Sequence, residues 1–152
     1  MASKQAFAAQ FRADGDSKFS LASHDPRSDK GFDDKEKAKA QALEDAEAIN
    51  VLQDRMFAEG SRALLVILQG MDCSGKDGTV RAVFNPCGPL GVHVKSFKVP
   101  TEEERAHDYL WRVHQAVPAK GYIGIFNRSH YEDVLVVKVE KFAAADAIER
   151  RY

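Results

Sequence analysis

The sequence has few cysteines and no excess of charge of either sign. Its two cysteines, Cys73 and Cys87, form no C-x-x-C pair, so neither a disulfide framework nor a zinc site is indicated, and free thiols are expected. Lysine and arginine number 22 against 23 aspartates and glutamates, which leaves no bulk basic charge for nucleic acid or a membrane surface. Any polyanion must therefore be bound locally.

Long hydrophobic runs are also missing. No segment is apolar over the length of a membrane span, and residues 1–19 lack the apolar stretch of a signal peptide. We therefore expect a cytoplasmic protein with no membrane contact. With 152 residues the chain can bury one sizeable core, so a single domain or part of one is expected.

The chain begins with a region that has little regular pattern. Residues 1–33 are polar and carry turn-forming glycine and proline, and we interpret them as an N-terminal arm. Strong helix formers fill residues 34–59, and Gly60 stands where a C-terminal cap belongs. The core domain is predicted to span residues 34–152 and to begin with this long helix. Its apolar stripe is Leu43, Ala46, Ile49, Leu52 and Met56.

Three short apolar segments then alternate with helical ones. Residues 63–69 form a continuous apolar run, as expected of a strand buried on both faces of a parallel sheet, and residues 92–99 and 122–127 also have strand patterns. Residues 76–84 and 101–118 are predicted helices, the second opening with a capping box. This order predicts a doubly wound α/β fold with right-handed crossovers.

A glycine-rich loop, GMDCSGKDG at residues 70–78, joins the first strand to the next helix. Gly70, Gly75 and Lys76 match the G-x-x-x-x-G-K spacing of phosphate-binding loops. In such loops backbone N–H groups and the helix dipole converge on phosphate, and the lysine adds a point charge. The alternative, a glycine turn with a solvated Lys76, explains the glycines but not the strand–loop–lysine order.

Asp77 occupies the position where a Ser or Thr hydroxyl usually ligates Mg²⁺. A carboxylate beside a phosphate must be metal-bound or turned away, so Mg²⁺ must be held differently here. Asp72, inside the loop, is the candidate, either as a metal ligand or as a proton acceptor. The alternative for Asp72 is a turn residue that bonds its own backbone.

Polar residues follow the third predicted strand. Asn127 and Arg128 would lie at the carboxyl edge of the sheet, where ligands bind in open α/β folds. The planar fork of Arg128 suits a phosphate, although a surface ion pair is the alternative, and Asn127 offers Mg²⁺ only a neutral carbonyl. Weaker candidates for lining a polyanion channel, with a solvated face as the alternative, are Arg81, Lys95 and Lys98. Further candidates directly after the strand are His130, Tyr131, Glu132 and Asp133.

Taken in order, these motifs resemble the second family of polyphosphate kinases, whose members move phosphate between inorganic polyphosphate and nucleotides. The similarity rests on LLVILQGMDCSGKDGTVRAVF at residues 64–84 and on the stretch from residue 91 to residue 139, which includes FNRSHYED. The resemblance implies a P-loop kinase-like three-layer α/β/α core with a mostly parallel sheet. It also implies Mg²⁺ dependence, and phosphorylation of ADP or AMP, or of GDP or GMP, from polyphosphate.

The resemblance also assigns roles to individual residues. It makes Asp72, Lys76 and Arg128 catalytic, and makes Asp72 and Asn127 the metal ligands, with Asn127 replacing the family's more common aspartate. Weak nucleotide or polyphosphate contacts are Arg81, Lys98, Tyr131 and Asp133. The phosphate-binding set is Gly70, Ser74, Gly75, Lys76, Asp77 and Gly78.

Family members continue well past the position of Tyr152, with further strands and an arginine-bearing lid. Because a lid excludes water and completes the charge clamp, we expect an incomplete copy that cradles phosphate but turns over poorly or not at all. Three other hypotheses stay open: an ATP-dependent P-loop kinase, a non-catalytic polyphosphate- or nucleotide-binding module, and a dimerisation fragment. A homo-oligomer built on the long helix is part of the last.

Overall fold

The computed structural model describes residues 8–13, 15, 19–25, 27–28, 32 and 34–151. Contacts divide the chain into two compact units, Met1–Gln41 and Ala42–Tyr152, so the division falls inside the first long helix. The boundary predicted near residue 33 stays a prediction. In the first unit a 3-10 turn covers Leu21–Ser23. Most of the turn residues predicted for the arm, Pro26 and Gly31 among them, lie outside the described residues.

The predicted long helix is present as α1, Lys35–Glu59. Its N-terminus is capped by Asp34, whose Oδ1 accepts hydrogen bonds from the backbone N–H groups of residues 36 and 37 at 2.9 and 3.1 Å. Its C-terminus is closed by Gly60, which has a φ of 62° and donates its N–H to the carbonyl of Met56 at 3.0 Å. Both ends lie where the sequence predicts them.

The apolar stripe predicted for α1 is partly wrong. Leu43 and Leu52 are each 61% exposed, whereas Ala46 and Gln53 are buried. Gln53 lies against Gly91, where a Cβ would clash with its amide. The missing side chain at Gly91 therefore makes room for the Gln53 amide on the buried face, while Ile49 and Met56 of the predicted stripe are partly buried.

A parallel sheet of three strands forms the centre of the second unit: β1 (Leu64–Leu68), β2 (Val92–Ser96) and β3 (Ile123–Asn127), in the order β1–β3–β2. Between β1 and β2 lies α2, Lys76–Phe84, as predicted. The register places the last residues of all three strands, Leu68, Ser96 and Asn127, side by side. The carboxyl ends of the strands therefore share one edge of the sheet.

The prediction that residues 63–69 are buried on both faces is wrong. In the described part of the sheet β1 is an edge strand, and Leu64, Leu65 and Ile67 are 48%, 37% and 37% exposed. The central strand is β3, where Ile125 and Phe126 are 0% and 1% exposed. Position in the sheet, and not apolar content alone, decides which strand is buried.

The single helix predicted for residues 101–118 is instead two short helices, α3 (Glu102–Ala106) and α4 (Trp111–His114). The helix is interrupted at Asp108, whose Oδ1 accepts the backbone N–H of Leu110 at 2.9 Å. Such a side-chain bond competes with the helical pattern. The capping box at the start of α3 is present as predicted.

The core cluster lies where α4 covers β3. Phe97 packs edge-on against Phe126 with ring centroids 4.8 Å apart, and Val113 completes the buried group. After β3 come a 3-10 turn at His130–Asp133, α5 at Leu135–Val139 and α6 at Ala145–Glu149. None of the helices in the described residues combines the length and the apolar character that a membrane crossing requires.

Candidate phosphate-binding site

The glycine loop has a shape that only particular residues allow. Gly75, the N-cap of α2, has a φ of 89° and a ψ of 10°, which is left-handed backbone that glycine adopts without strain. At Gly70 a Cβ would come within 2.7 Å of Ser74 Oγ. Both predicted loop glycines therefore meet a geometric requirement of the turn.

Lys76 folds back over this loop. Its Nζ donates hydrogen bonds to the carbonyl oxygens of Gly70 at 2.8 Å and Met71 at 2.7 Å, and it lies 3.3 Å from Ser74 Oγ. The ammonium group is thus held by the loop and is not solvated at a distance from it. A phosphate bound in the loop would lie beside a cation that is already in place.

Two side-chain bridges connect the glycine loop to the end of β3. Arg128 Nη2 pairs with Asp72 Oδ1, and Asn127 Nδ2 donates to Asp77 Oδ1. Asp72 is 82% exposed, so its pair with Arg128 forms at the open side of the site. Asp77 lines the same site, and its Oδ1 accepts the hydrogen bond from the Asn127 amide.

The position of Arg128 is set from behind by Glu132 and Gln69. Arg128 has a φ of 66°, and its Nη1 lies 3.3 Å from Glu132 Oε2. Glu132 Oε1 accepts from Gln69 Nε2 at 2.6 Å, and Gln69 Oε1 accepts from Ser129 Oγ at 3.2 Å. Ser129 is completely buried. This chain of hydrogen bonds ties the guanidinium to the ends of both β1 and β3.

A cavity of about 920 Å³ opens in front of these groups, within the size range of small-molecule sites. The glycine loop forms one wall, and the segment after β2 together with the turn after β3 forms the opposite one. Apolar residues of α5 and beyond close one end. The lining includes Asp72 to Gly78, Ser96 to Pro100, Arg112, Asn127, Arg128, Glu132, Asp133, Val136, Val137 and Phe142.

Most of the predicted site residues lie on this cavity, but Gly70, Lys95 and His130 do not. Lys98 and Asp133 line it, whereas Arg81 and Tyr131 are also not part of its lining. The Tyr131 ring stacks on His130 at 4.6 Å, and the residue is 47% exposed. For Arg81 and Tyr131 a role in ligand contact stays a prediction without support from the geometry.

Arg112 is the lining residue that the sequence patterns do not reveal. It is 6% exposed, and its guanidinium bonds Asp133 Oδ2 at 2.9 Å and the carbonyl of Lys98 at 2.8 Å. These partners come from different segments, so no local motif marks the residue.

Mg²⁺ is the cofactor that the resemblance implies, and its candidate ligands are oxygen atoms near the glycine loop and the end of β3. In the described residues no three His, Cys, Asp or Glu side chains gather at a metal-binding distance. Mg²⁺ does not need such a group, since it is commonly held by one or two carboxylates with substrate phosphates and water. Asp72 is exposed at the loop, and the amide nitrogen of Asn127 is the atom bonded to Asp77, which leaves its carbonyl oxygen outside that bond. The residues fit the ion.

Comparison with known proteins now decides the family. The family model for polyphosphate kinase 2 matches residues 32–152. The chain belongs to the polyphosphate kinase 2 family. The crystal structure of polyphosphate kinase 2 from Arthrobacter aurescens TC1 matches at a TM-score of 0.84 and 45% identity, over 90% of this chain. The predicted α/β class with its long N-terminal helix is confirmed, and this match agrees with a P-loop kinase-like core.

Two relatives with described activities are similar to this polyphosphate kinase 2 chain. The AMP/ADP-polyphosphate phosphotransferase of Meiothermus ruber is 49% identical over 147 residues, which are 94% of this chain and 54% of that protein. The ADP-polyphosphate phosphotransferase of Rhodopseudomonas palustris is 39% identical over 130 residues, 86% of this chain and 45% of that protein. In the Arthrobacter structure the match covers 50% of the chain. The chain thus spans about half the length of these relatives.

Proposed function

We propose that this chain provides the phosphate-binding site of a Mg²⁺-dependent phosphotransferase that moves a phosphoryl group between inorganic polyphosphate and AMP or ADP. The observation that carries the proposal is the pair of cations, Lys76 and Arg128, on one cavity at the carboxyl edge of the sheet. Relatives with the same family domain are named for this transfer. In phosphoryl transfer, most of the protein's contribution comes from positioned positive charges around the transferring group.

Lys76 and Arg128 would change partners when substrate binds. Lys76 now bonds neutral loop oxygens, and Arg128 is paired with Asp72 and Glu132. Phosphate oxygens are stronger acceptors for both cations than neutral carbonyl groups are. Lys76 would neutralise charge on the transferring group from the loop side, and Arg128 from the side of β3.

Asp72 and the carbonyl oxygen of Asn127 would hold Mg²⁺. Held by these two oxygen donors, Mg²⁺ would supply positive charge beside the phosphate groups. Release of Asp72 from Arg128 would then provide a metal ligand and a free guanidinium together. The remaining loop contacts would come from the backbone N–H groups at Ser74 to Gly78, next to the N-terminus of α2.

The transfer needs no strong general base in this site. The acceptor oxygen of AMP or ADP belongs to a phosphate group that is already ionised near neutral pH. Its oxygen forms the new P–O bond while the terminal P–O–P bond of polyphosphate breaks, and the shortened polyphosphate leaves as an anion. The protein must therefore position and neutralise charge. This matches a cavity lined by four cationic residues, with four carboxylates that each have a hydrogen-bond partner.

A second candidate function is binding of polyphosphate or nucleotide without turnover. The same cavity and cations favour it, because they can hold a polyanion whether or not a phosphoryl group is then transferred. Both candidates share the site and differ in whether ATP forms. An ATP-dependent kinase is the further enzyme alternative, and competition between ATP and polyphosphate as donors separates it.

The test is ATP formation by the purified 152-residue chain with Mg²⁺, ADP and long-chain polyphosphate. Lys76→Ala removes the loop cation, and Lys120→Ala is the matched control at the opposite edge of the sheet, on the exposed turn before β3. We expect ATP from the wild type and from Lys120→Ala, and none above background from Lys76→Ala. AMP, GDP and GMP in place of ADP give the acceptor preference. ATP formation that is equal in all three proteins would reject the site.

A further inference from the structure

Arg112 occupies an unusual place for a cation on a cavity that we propose to bind polyanions. It is almost completely buried, and its guanidinium is held by acceptors from three separate segments. Nη1 donates to the carbonyl of Lys98 at 2.8 Å and lies 3.5 Å from Glu104 Oε2, while Nη2 donates to Asp133 Oδ2 at 2.9 Å. The guanidinium carbon is 5.4 Å from the centre of the Phe97 ring.

These bonds occupy the guanidinium on the protein side. A phosphate would have to displace two partly buried carboxylates in order to bond the guanidinium, since the side chains of Asp133 and Glu104 are only 13% and 18% exposed. Such a displacement leaves buried charges without a partner, which is costly. Arg112 therefore acts through its neighbours and not by touching the substrate.

The electrostatic balance of this wall depends on Arg112. Glu104 and Asp133 bring two negative charges to one guanidinium, and Asp133 lines the cavity itself. Without the arginine, Asp133 would face a bound polyanion without its partner, and the nearby Glu104 would add a second negative charge; like charges repel each other. The guanidinium thus shields the cavity from carboxylates of its own wall.

Arg112 also fixes the segment that carries Lys98. The Lys98 carbonyl is bonded to the guanidinium, and the exposed Lys98 side chain lines the cavity opposite the glycine loop. Phe97, directly before it, is buried under the same guanidinium. A single side chain therefore sets both the charge and the position of this wall.

We infer that Arg112 is a positioning residue for polyphosphate binding: it neutralises Asp133 and Glu104 and holds Lys98 at the cavity. This inference rests on the proposed function, because it concerns the same cavity and the same class of ligand. Arg112 would act without contacting phosphate. It would shield the ligand from the charges of nearby carboxylates, which the glycine loop does not do.

The experiment measures binding of tripolyphosphate, without Mg²⁺, by calorimetry at pH 8, where carboxylates are charged. Arg112→Met should bind about tenfold more weakly than the wild type, because two carboxylates lose their partner. Adding Asp133→Asn to Arg112→Met should restore a large part of the affinity. Arg62→Met is the matched control, since Arg62 is an exposed arginine before β1 whose side chain is 77% exposed. It should bind like the wild type.

The rescue by Asp133→Asn separates charge shielding from a purely structural role. If Arg112 only held the fold together, removal of a second hydrogen-bonding group would leave binding equally weak or weaken it further, and that result would overturn the inference. Circular dichroism confirms that each variant is folded. Should Arg112→Met not fold, Arg112→Gln replaces it, since a glutamine keeps hydrogen-bond donors for the Lys98 carbonyl but removes the charge, and the same rescue decides.

The controls also separate this inference from the proposed function. If the wild type binds tripolyphosphate neither without nor with Mg²⁺, or if Lys76→Ala binds it equally well, the proposed site fails. If the wild type binds in a Lys76-dependent way and Arg112→Met binds equally well, only the role of Arg112 fails.

Discussion

The neighbouring strands β1 and β3 have similar apolar sequences, LLVIL and IGIFN, and opposite environments. Three of the five side chains of β1 are exposed, while Ile123 to Phe126 of β3 are all buried. Each strand ends in one half of the candidate site. β1 leads into an exposed glycine loop held by its own hydrogen bonds, and β3 leads into Arg128 and a wall held by long-range contacts. The glycine-loop half is held by hydrogen bonds between residues close in sequence. The half after β3 is held by contacts between residues far apart in sequence.

The strand comparison makes a prediction for stability, which is the largest effect expected. Ile125→Ala, in the central strand, should lower the free energy of unfolding by about 2–5 kcal/mol, as large-to-small changes do in a packed core. Ile67→Ala, the same change in β1 where the residue is 37% exposed, should cost less than half as much. Urea unfolding of both variants measures the difference. Equal losses would mean that β1 is buried in solution.

The next prediction concerns the half of the site that follows β3. Arg128→Lys keeps the charge but loses the planar fork that bonds Glu132 and Asp72 at once. We expect tripolyphosphate affinity to fall about tenfold, with stability changed by less than about 1 kcal/mol because the side chain is partly exposed. Calorimetry and urea unfolding give the two values. An unchanged affinity would argue that Arg128 serves only as an ion-pair partner.

In the glycine-loop half of the site, neutralising Asp72 should strengthen the binding of tripolyphosphate, whereas Arg128→Lys should weaken it. Asp72→Asn removes the carboxylate that now occupies Arg128, so binding of tripolyphosphate without Mg²⁺ should become about threefold tighter. Any strengthening of binding by Mg²⁺ should be reduced, since a metal ligand is lost.

The matched control for this change is Asp146→Asn, an exposed aspartate paired with Arg150 at 3.1 Å on α6. It should bind as the wild type does, with and without Mg²⁺. Weaker Mg²⁺-free binding by Asp72→Asn would contradict the exchange of partners at Arg128.

The smallest effect is expected in the alkylation rates of the two thiols. Cys73 lies in the glycine loop, and Cys87 lies outside it. Cys73 is exposed on the cavity, whereas burial raises the pKa of the Cys87 thiol, and the carboxylates of Asp54 and Glu47 act in the same direction. A thiol reacts as its thiolate, and a raised pKa postpones thiolate formation to higher pH. Iodoacetamide at pH 7.5 should thus label Cys73 about fivefold faster.

The same labelling tests occupancy of the cavity. The rate gap between the two thiols should narrow as the pH rises, because Cys87 then forms more thiolate. Tripolyphosphate should slow labelling at Cys73 and leave Cys87 unaffected. Peptide mass spectrometry follows both sites in one sample, and equal protection of the two thiols would indicate a general effect on the protein.

The local half of the site could be predicted from the sequence. The glycine loop closes through bonds among residues 70–79, so its spacing alone indicates the Lys76 position and the start of α2. The capping box at Thr101 and the Gly60 cap are local in the same sense. Such features need no knowledge of what packs against them.

The other half could be predicted only in part: Asn127 and Arg128 were expected at the end of β3, but other features were not, for physical reasons that differ between residues. An apolar run does not reveal whether a strand lies at the edge or the centre of a sheet, so the exposure of β1 was missed. The turn at Asp108 results from a side-chain bond that competes with the helix. Arg112 has its partners on three segments, and only the fold brings them together.

The central claim is that Lys76 holds phosphate in the cavity beside β3. The most direct measurement is a tripolyphosphate titration of the wild type, Lys76→Ala and Lys120→Ala by calorimetry. The account predicts one binding site in the wild type and in Lys120→Ala, and an affinity at least about tenfold weaker in Lys76→Ala. Equal affinity in all three proteins would contradict it, because the glycine loop would then not be the phosphate-binding site.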